Sequence, residues 1–234
     1  MILGILGGMG PAATCDLFRK VIDYTDAAKD QEHLHIIIDN NTQIPDRTDY
    51  ICGSGEDPRT ELIRSVIKLE TMGVDYIAIP CNTAHYFYDD LAKYTKVRII
   101  NMICETAVFL KNTKPNNKNY LLLATKGTYM SRIYTNTFKK FDLNIIEPSE
   151  SDKQIIMSWI YGVKSSKFDV TSIEFESFIN KYCENGEVLP ILGCTELPVL
   201  AQRIGLEKEY IDPVSILAKR CVELAEKNIG LRMI

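Results

Sequence analysis

Short aliphatic runs with little polar alternation recur along the chain at 2–6 (ILGIL), 34–38 (LHIII), 75–79 (DYIAI), 97–100 (VRII), 120–124 (YLLLA), 143–146 (LNII) and 188–192 (VLPIL). Runs of this length and composition, bounded by Gly, Pro or Asn, predict strands covered on both faces. Between them the apolar positions open out to helical spacing. Residues 58–72 carry Leu62, Val66 and Leu69 on one stripe, and 213–228 carry Ile216, Leu217, Val222 and Leu224 behind Pro213, a residue suited to a first helical turn. Strands that alternate with helices predict an α/β protein built on parallel sheets.

The pattern repeats. A strand running into a Gly/Thr loop occurs at Gly4–Gly8 and again at Ala124–Thr128, and a strand running into a Cys-Asn/Thr turn occurs at Cys81 and again at Cys194. Leu6 to Cys81 spans 75 positions and Ala124 to Cys194 spans 70, so the halves have nearly one length. The expected architecture is two pseudo-symmetric lobes, each a small parallel sheet flanked by helices. No Ser/Gly-rich linker divides them, and the lobes are placed at 1–100 plus 206–234 and at 101–205, with the last helix returning to the first lobe. Open α/β sheets bind ligands at the carboxyl edge, which is where this arrangement puts both cysteines.

Composition narrows the class. Of 234 residues 46% are hydrophobic and 25% charged, the balance of a folded chain rather than a disordered one. No apolar stretch reaches the ~20 residues that a bilayer requires, and the opening MILGILGGMGPAA has no basic segment ahead of its apolar run. A cytoplasmic protein without membrane contact is expected. A net charge of -4 without a basic run argues against nucleic acid as a partner. The seven cysteines are odd in number and contain no C-x-x-C pair, so free thiols are expected, most of them small buried hydrophobes, with neither a disulfide framework nor zinc. No metal-ligand cluster and no lysine in a pyridoxal phosphate setting stands out, so no cofactor is expected.

Two cysteines stand apart from that default. In YIAIPCNTAH (76–85), Cys81 leaves a buried strand just before Asn82 and Thr83, which are helix N-cap types; in VLPILGCTELP (188–198), Cys194 leaves another just before Thr195, with Pro198 in the first turn beyond. Free N–H groups and the positive end of a helix favour a thiolate there and attract a carboxylate. One such cysteine alone reads as structural, whereas two at matching points of matching lobes read as function. Facing thiols flanked by carboxylate-binding turns suit removal of a proton from a carbon beside a carboxylate and delivery of one from the other side. That is two-base racemisation or epimerisation.

Within GILGGMGPAAT (4–14), Gly8, Gly10 and Ala13 fit a dinucleotide-binding pattern, yet Pro11 removes an N–H and the acidic Asp39 follows Gly10 by 29 residues instead of about 20. The loop is read instead as a donor of backbone N–H groups to a small anion, or simply as a tight turn. Segment 39–59 has the composition of a long irregular functional loop, in which Arg47 is able to grip a carboxylate with two parallel hydrogen bonds. Lys164 and Lys153 are the cation candidates of the second lobe. His85, one turn beyond Cys81, is given a structural or orienting role rather than that of a base.

The segments GILGGMGP (4–11), DQEH (30–33), NNTQIPDRT (40–48), GEDPR (55–59), PCNTAH (80–85), GCTE (193–196) and IDP (211–213) resemble, in order and spacing, the aspartate racemases of the cofactor-independent aspartate/glutamate racemase family. The resemblance implies an active site in the cleft between the lobes, with Cys81 and Cys194 as the acid/base pair and Asn82, Thr83 and Thr195 on the α-carboxylate. It puts Arg47 and a second-lobe lysine, Lys164 or otherwise Lys153, on the distal carboxylate. Gly8, Met9 and Glu196 complete the substrate-binding set. The implied activity is pyridoxal-independent interconversion of L- and D-aspartate, with glutamate open as a second substrate, by a homodimer. Two other readings stand beside it. A related thiol enzyme acting on small diacids, such as a maleate isomerase or a decarboxylase, loads the chemistry on one cysteine. A non-catalytic sensor of acidic amino acids has no use for two thiols facing one carbon.

Overall fold

The computed structural model describes residues 1–183 and 188–225, so the ends of the predicted 213–228 helix and of the 206–234 segment lie outside the described residues. The first half runs β1 (Ile2–Gly7), α1 (Pro11–Tyr24), β2 (His35–Asn40), α2 (Arg47–Ile51), α3 (Arg59–Thr71), β3 (Tyr76–Ala78), α4 (Tyr88–Leu91) and β4 (Arg98–Ile100). The second runs α5 (Met102–Thr113), β5 (Asn119–Leu123), α6 (Lys126–Ser131), α7 (Ile133–Lys139), β6 (Asn144–Ile146), α8 (Glu150–Lys164), α9 (Ser172–Asn180), β7 (Val188–Leu192), α10 (Glu196–Arg203) and α11 (Pro213–Leu224). All seven aliphatic runs are strands, in two sheets ordered β2-β1-β3-β4 and β6-β5-β7, and every pairing is parallel.

Period-two alternation explains how each sheet is sandwiched. In β1, Leu3 and Ile5 point to α1 and α11, packing on Leu17, Val21, Leu217 and Cys221, while Leu6 points the other way to Leu62, Val66 and Leu69 of α3. In β5, Tyr120 and Leu122 meet α5 and α7, while Leu121 and Leu123 meet α8, α9 and α10. Each such fully buried aliphatic side chain contributes about 1.5–3 kcal/mol. The outer strand β2 departs from double coverage: His35, Ile38 and Asn40 are exposed at the edge of the sheet, where β1 is its sole strand neighbour among the described residues.

The two sheets are joined by helices. Met102 of α5 enters the core of the first, whereas Ile103, Ala107 and Leu110 enter that of the second, and Ile216 of α11 joins them there. Leu206 and Tyr210 pack against the second-sheet core, and Ile211 makes a parallel bridge with Ile191, before α11 lies down on β1. The polar segment 39–59 is less irregular than expected, since Asp46 caps α2 by accepting from the N–H groups of Thr48 (2.7 Å) and Asp49 (3.0 Å). No helix among the described residues is long and apolar enough to cross a membrane.

Candidate active site

Parallel strands deliver their carboxyl ends to one edge. In the first sheet β3 stops at Ala78 and Cys81 follows; in the second β7 stops at Leu192 and Cys194 follows. These ends meet at one enclosed cavity of about 20 Å³, lined by Met9, Asp46, Arg47, Thr48, Cys81, Asn82, Thr83, Thr125, Lys164, Cys194, Thr195 and Glu196. Of the residues the sequence assigns to catalysis or substrate binding, all but Gly8 and the alternative Lys153 line it, and His85 stands outside the lining. Three hydroxyls join the halves beside it, with Thr83 3.0 Å from both Thr125 and Thr128, which are themselves 3.1 Å apart. Gly127 permits this approach, because a Cβ there would lie 2.8 Å from the Cα of Thr48.

The cations and amides of the site are arranged as donors. Arg47 opens α2 and is buried; its guanidinium donates to the carbonyls of Pro45 (3.0 Å), Met9 (3.2 Å) and Ile44 (3.4 Å). Its Nε is buried without an acceptor among the described residues. Asn82 accepts from the Tyr134 hydroxyl at 2.5 Å, leaving its Nδ2 likewise buried and unpartnered. Two orphaned donors at one cavity are costly unless an anion meets them. Lys164, at the last turn of α8, stands at the rim. Burial pulls its ammonium down, yet Glu196, Cys194, Asp46 and Cys81 hold it above the ordinary lysine value.

The two thiols differ. The Cys194 S–H donates to Oε2 of buried Glu196 at 2.9 Å, and the Thr195 hydroxyl donates to the same oxygen at 3.2 Å. Burial, with that carboxylate next, pushes the Cys194 thiol well above its ordinary value against the pull of Lys164. The sequence predicts a turn favouring thiolate here, and the structure reverses that because burial and the Glu196 carboxylate beside the sulfur both favour the thiol. Cys81 lies instead beside His85, whose Nδ1 bonds the Cys81 carbonyl (2.9 Å) while its Nε2 takes the Met102 N–H (3.1 Å). With both ring nitrogens occupied and burial holding the ring below the ordinary histidine value, His85 orients the turn.

Other expectations need correcting. The Gly8 N–H donates to the Thr14 hydroxyl (2.9 Å) and is not free for an anion. Gly8 is required by its backbone, since its φ is 92° and a Cβ would fall 2.3 Å from the Asn41 carbonyl oxygen. Asn82 and Thr195 precede helical turns but make no side-chain capping bond there; Asn82 and Thr83 reach tertiary partners, and the Thr195 hydroxyl bonds its neighbour Glu196. Lys153 points into a separate cavity of about 680 Å³ between α6 and α8, bonded to Glu147 and Glu150 at 2.8 Å each. All seven cysteines are free, but Cys15 is exposed and Cys52 and Cys104 half-buried, so the buried default holds for Cys183 and Cys221 among the other five. Asp46, Thr48 and Thr125 line the cavity without having been singled out.

Comparison with known proteins is consistent with this geometry. The model of the Asp/Glu/Hydantoin racemase family matches residues 6–221. The chain belongs to that family. This racemase-family chain is 29% identical over 226 residues to the broad specificity amino-acid racemase RacX of Bacillus subtilis, covering 94% of the chain and 96% of RacX. Among solved structures, it is similar to the aspartate racemase of Picrophilus torridus (32% identity, TM-score 0.78, covering 98% of this chain and 96% of that one). It is also similar to an aspartate racemase homologue from Pyrococcus horikoshii (25% identity, TM-score 0.77, covering 96% and 99%).

Proposed function

We propose that the chain is a pyridoxal-independent racemase of acidic amino acids that interconverts L- and D-aspartate, with glutamate as a second substrate, at the cavity holding Cys81 and Cys194. The observation that carries this reading is the presence, at one cavity, of two strand-end thiols and a buried guanidinium whose Nε has no acceptor. The α-carboxylate is assigned to Asn82, Thr83 and Thr195, and the distal carboxylate to Arg47 and Lys164. One cysteine as thiolate removes the Cα proton, so that a C–H bond breaks and an S–H bond forms. The electron pair left behind spreads into the α-carboxylate, where the Asn82 amide donates to the growing charge. The other cysteine, as thiol, then delivers its proton to the opposite face, and the configuration inverts.

Support for aspartate comes from the cation pair and from similarity to an aspartate racemase; RacX, named for broad specificity, makes substrate choice the point to test. The free thiols suit a reducing cytoplasm, and we extend the reading to a homodimer by analogy with the family. The decisive experiment supplies L-aspartate in D₂O and samples early. Because the group that removes the proton is not the one that returns it, the D-aspartate formed should carry deuterium at Cα while remaining L-aspartate is mostly unlabelled. Cys81→Ser and Cys194→Ser should each abolish turnover with the fold kept. Largely unlabelled early D-aspartate, or full activity in either variant, overturns the two-thiol mechanism.

A further inference from the structure

We propose that Glu196 is a positioning residue that holds Cys194 as the thiol, so that the two cysteines of the resting site are not equivalent. The proposal rests on the reading that these cysteines exchange the Cα proton, and it goes beyond it by breaking the apparent equivalence of the two lobes. Its geometric basis is the 2.9 Å contact from Cys194 Sγ to Glu196 Oε2, with the Thr195 hydroxyl fixing that same oxygen. Among the described residues the Cys81 sulfur makes no such hydrogen bond to a carboxylate, and its turn is held by a neutral imidazole through a backbone carbonyl. A carboxylate beside a sulfur penalises the thiolate and accepts from the thiol, and both effects keep the proton on Cys194.

The other charges around Cys194 act less directly. Lys164 of α8 pulls toward thiolate. Tyr161 of α8, Tyr129 of α6 and Tyr134 of α7 are kept neutral, each pushed up by burial. Arg47, Asp46 and Cys81 share the same cavity wall. During a turnover begun by Cys81, its thiolate gains the Cα proton and Cys194 gives up its own, which leaves a thiolate next to Glu196. That thiolate is a strong base, ready to take a proton from the opposite enantiomer or from solvent. Since the two enantiomers have equal free energy in water, kcat/KM must be equal in the two directions. The bias set by Glu196 therefore appears as a matched split of kcat and KM between enantiomers.

The test compares wild type with Glu196→Gln by two readouts. The first is the pH profile of kcat/KM for both enantiomers; the second is the pH dependence of iodoacetamide alkylation of each cysteine in ligand-free protein, read by peptide mass spectrometry. In Glu196→Gln the alkaline limb should move toward neutrality by about one pH unit or more with the acid limb unmoved, and Cys194 alkylation near neutrality should rise about tenfold or more. The kcat and KM values of the two enantiomers should converge, and Glu196→Asp should restore part of the wild-type behaviour. An unmoved limb with unchanged Cys194 alkylation overturns the proposal. So does an equal rise in KM for both enantiomers at every pH, which would assign Glu196 to the substrate ammonium. If Glu196→Gln fails to fold, the order of alkylation in wild type decides, Cys81 before Cys194 being required. If aspartate and glutamate are not turned over at all, the racemase reading fails while the alkylation arm still judges the Glu196–Cys194 couple.

Discussion

Arg47→Met keeps the unbranched stem of the side chain and removes the guanidinium, which separates recognition from folding. In the ligand-free protein Arg47 is 8% exposed, its guanidinium donates to three backbone carbonyls, and its Nε has no acceptor among the described residues. Its removal leaves those carbonyls short of donors, at about 1–3 kcal/mol each if buried. It also removes an unpaired buried charge whose desolvation costs several kcal/mol. The opposing terms leave ligand-free stability within about 2 kcal/mol of wild type. With aspartate bound the balance changes, because the variant strands the distal carboxylate without its partner, at about 2–4 kcal/mol. That corresponds to about a 30- to 1,000-fold fall in kcat/KM. The assay measures kcat/KM for aspartate and for alanine side by side, together with urea unfolding of ligand-free protein. Alanine lacks the distal carboxylate and should be a poor substrate that the substitution hardly affects. Equal losses for both amino acids, or a collapse of the unfolding midpoint, would show that Arg47 supports the fold and not the substrate.

Lys164→Ala should lower turnover of aspartate far more than that of alanine, whereas Lys153→Ala, which breaks bonds to Glu147 and Glu150 in another cavity, should leave kinetics unchanged and cost about 1 kcal/mol of stability or less; the reverse ranking refutes the assignment. Acid should destabilise the protein through His85. Its folded-state pKa lies below the unfolded value because burial disfavours the imidazolium. Below about pH 6.5 the unfolded chain binds a proton that the folded chain resists, so this share of stability is present above that pH and is lost as pH falls beneath it. The urea midpoint should drop between about pH 7.5 and 5.5, and less steeply in His85→Gln; equal drops in both proteins refute the attribution.

The strands were legible because a strand inside a doubly covered parallel sheet loses its polar alternation, and the edge strand β2 was misjudged because an Ile-rich run says nothing about which neighbour is missing. Cys81 and Cys194 were legible through the internal repeat, which equates the ends of β3 and β7. The contact between Cys194 and Glu196 was not, since it depends on how one turn folds, and the local flanks of the two thiols read alike. Gly8 was assigned to an anion because its N–H partner, Thr14, lies six residues on, where only the entry into α1 brings it back. Lys164 stands ahead of its substitute Lys153 through the family resemblance and not through helix geometry: eleven residues is close to three helical turns, so both lie on one face of α8, about 16 Å apart along its axis. Thr125 belongs to the Gly/Thr loop that the repeat had already marked, and its role as a link became visible only with Thr83 and Thr128 beside it.

A cavity of about 20 Å³ holds roughly one water molecule, far less than any dicarboxylic amino acid. On the proposed reading an acidic amino acid needs more room than this, and the three threonine hydroxyls that join the halves lie where that room would open. Each hydroxyl both donates and accepts, so the trio can trade its internal bonds for bonds to water or to a carboxylate at little cost.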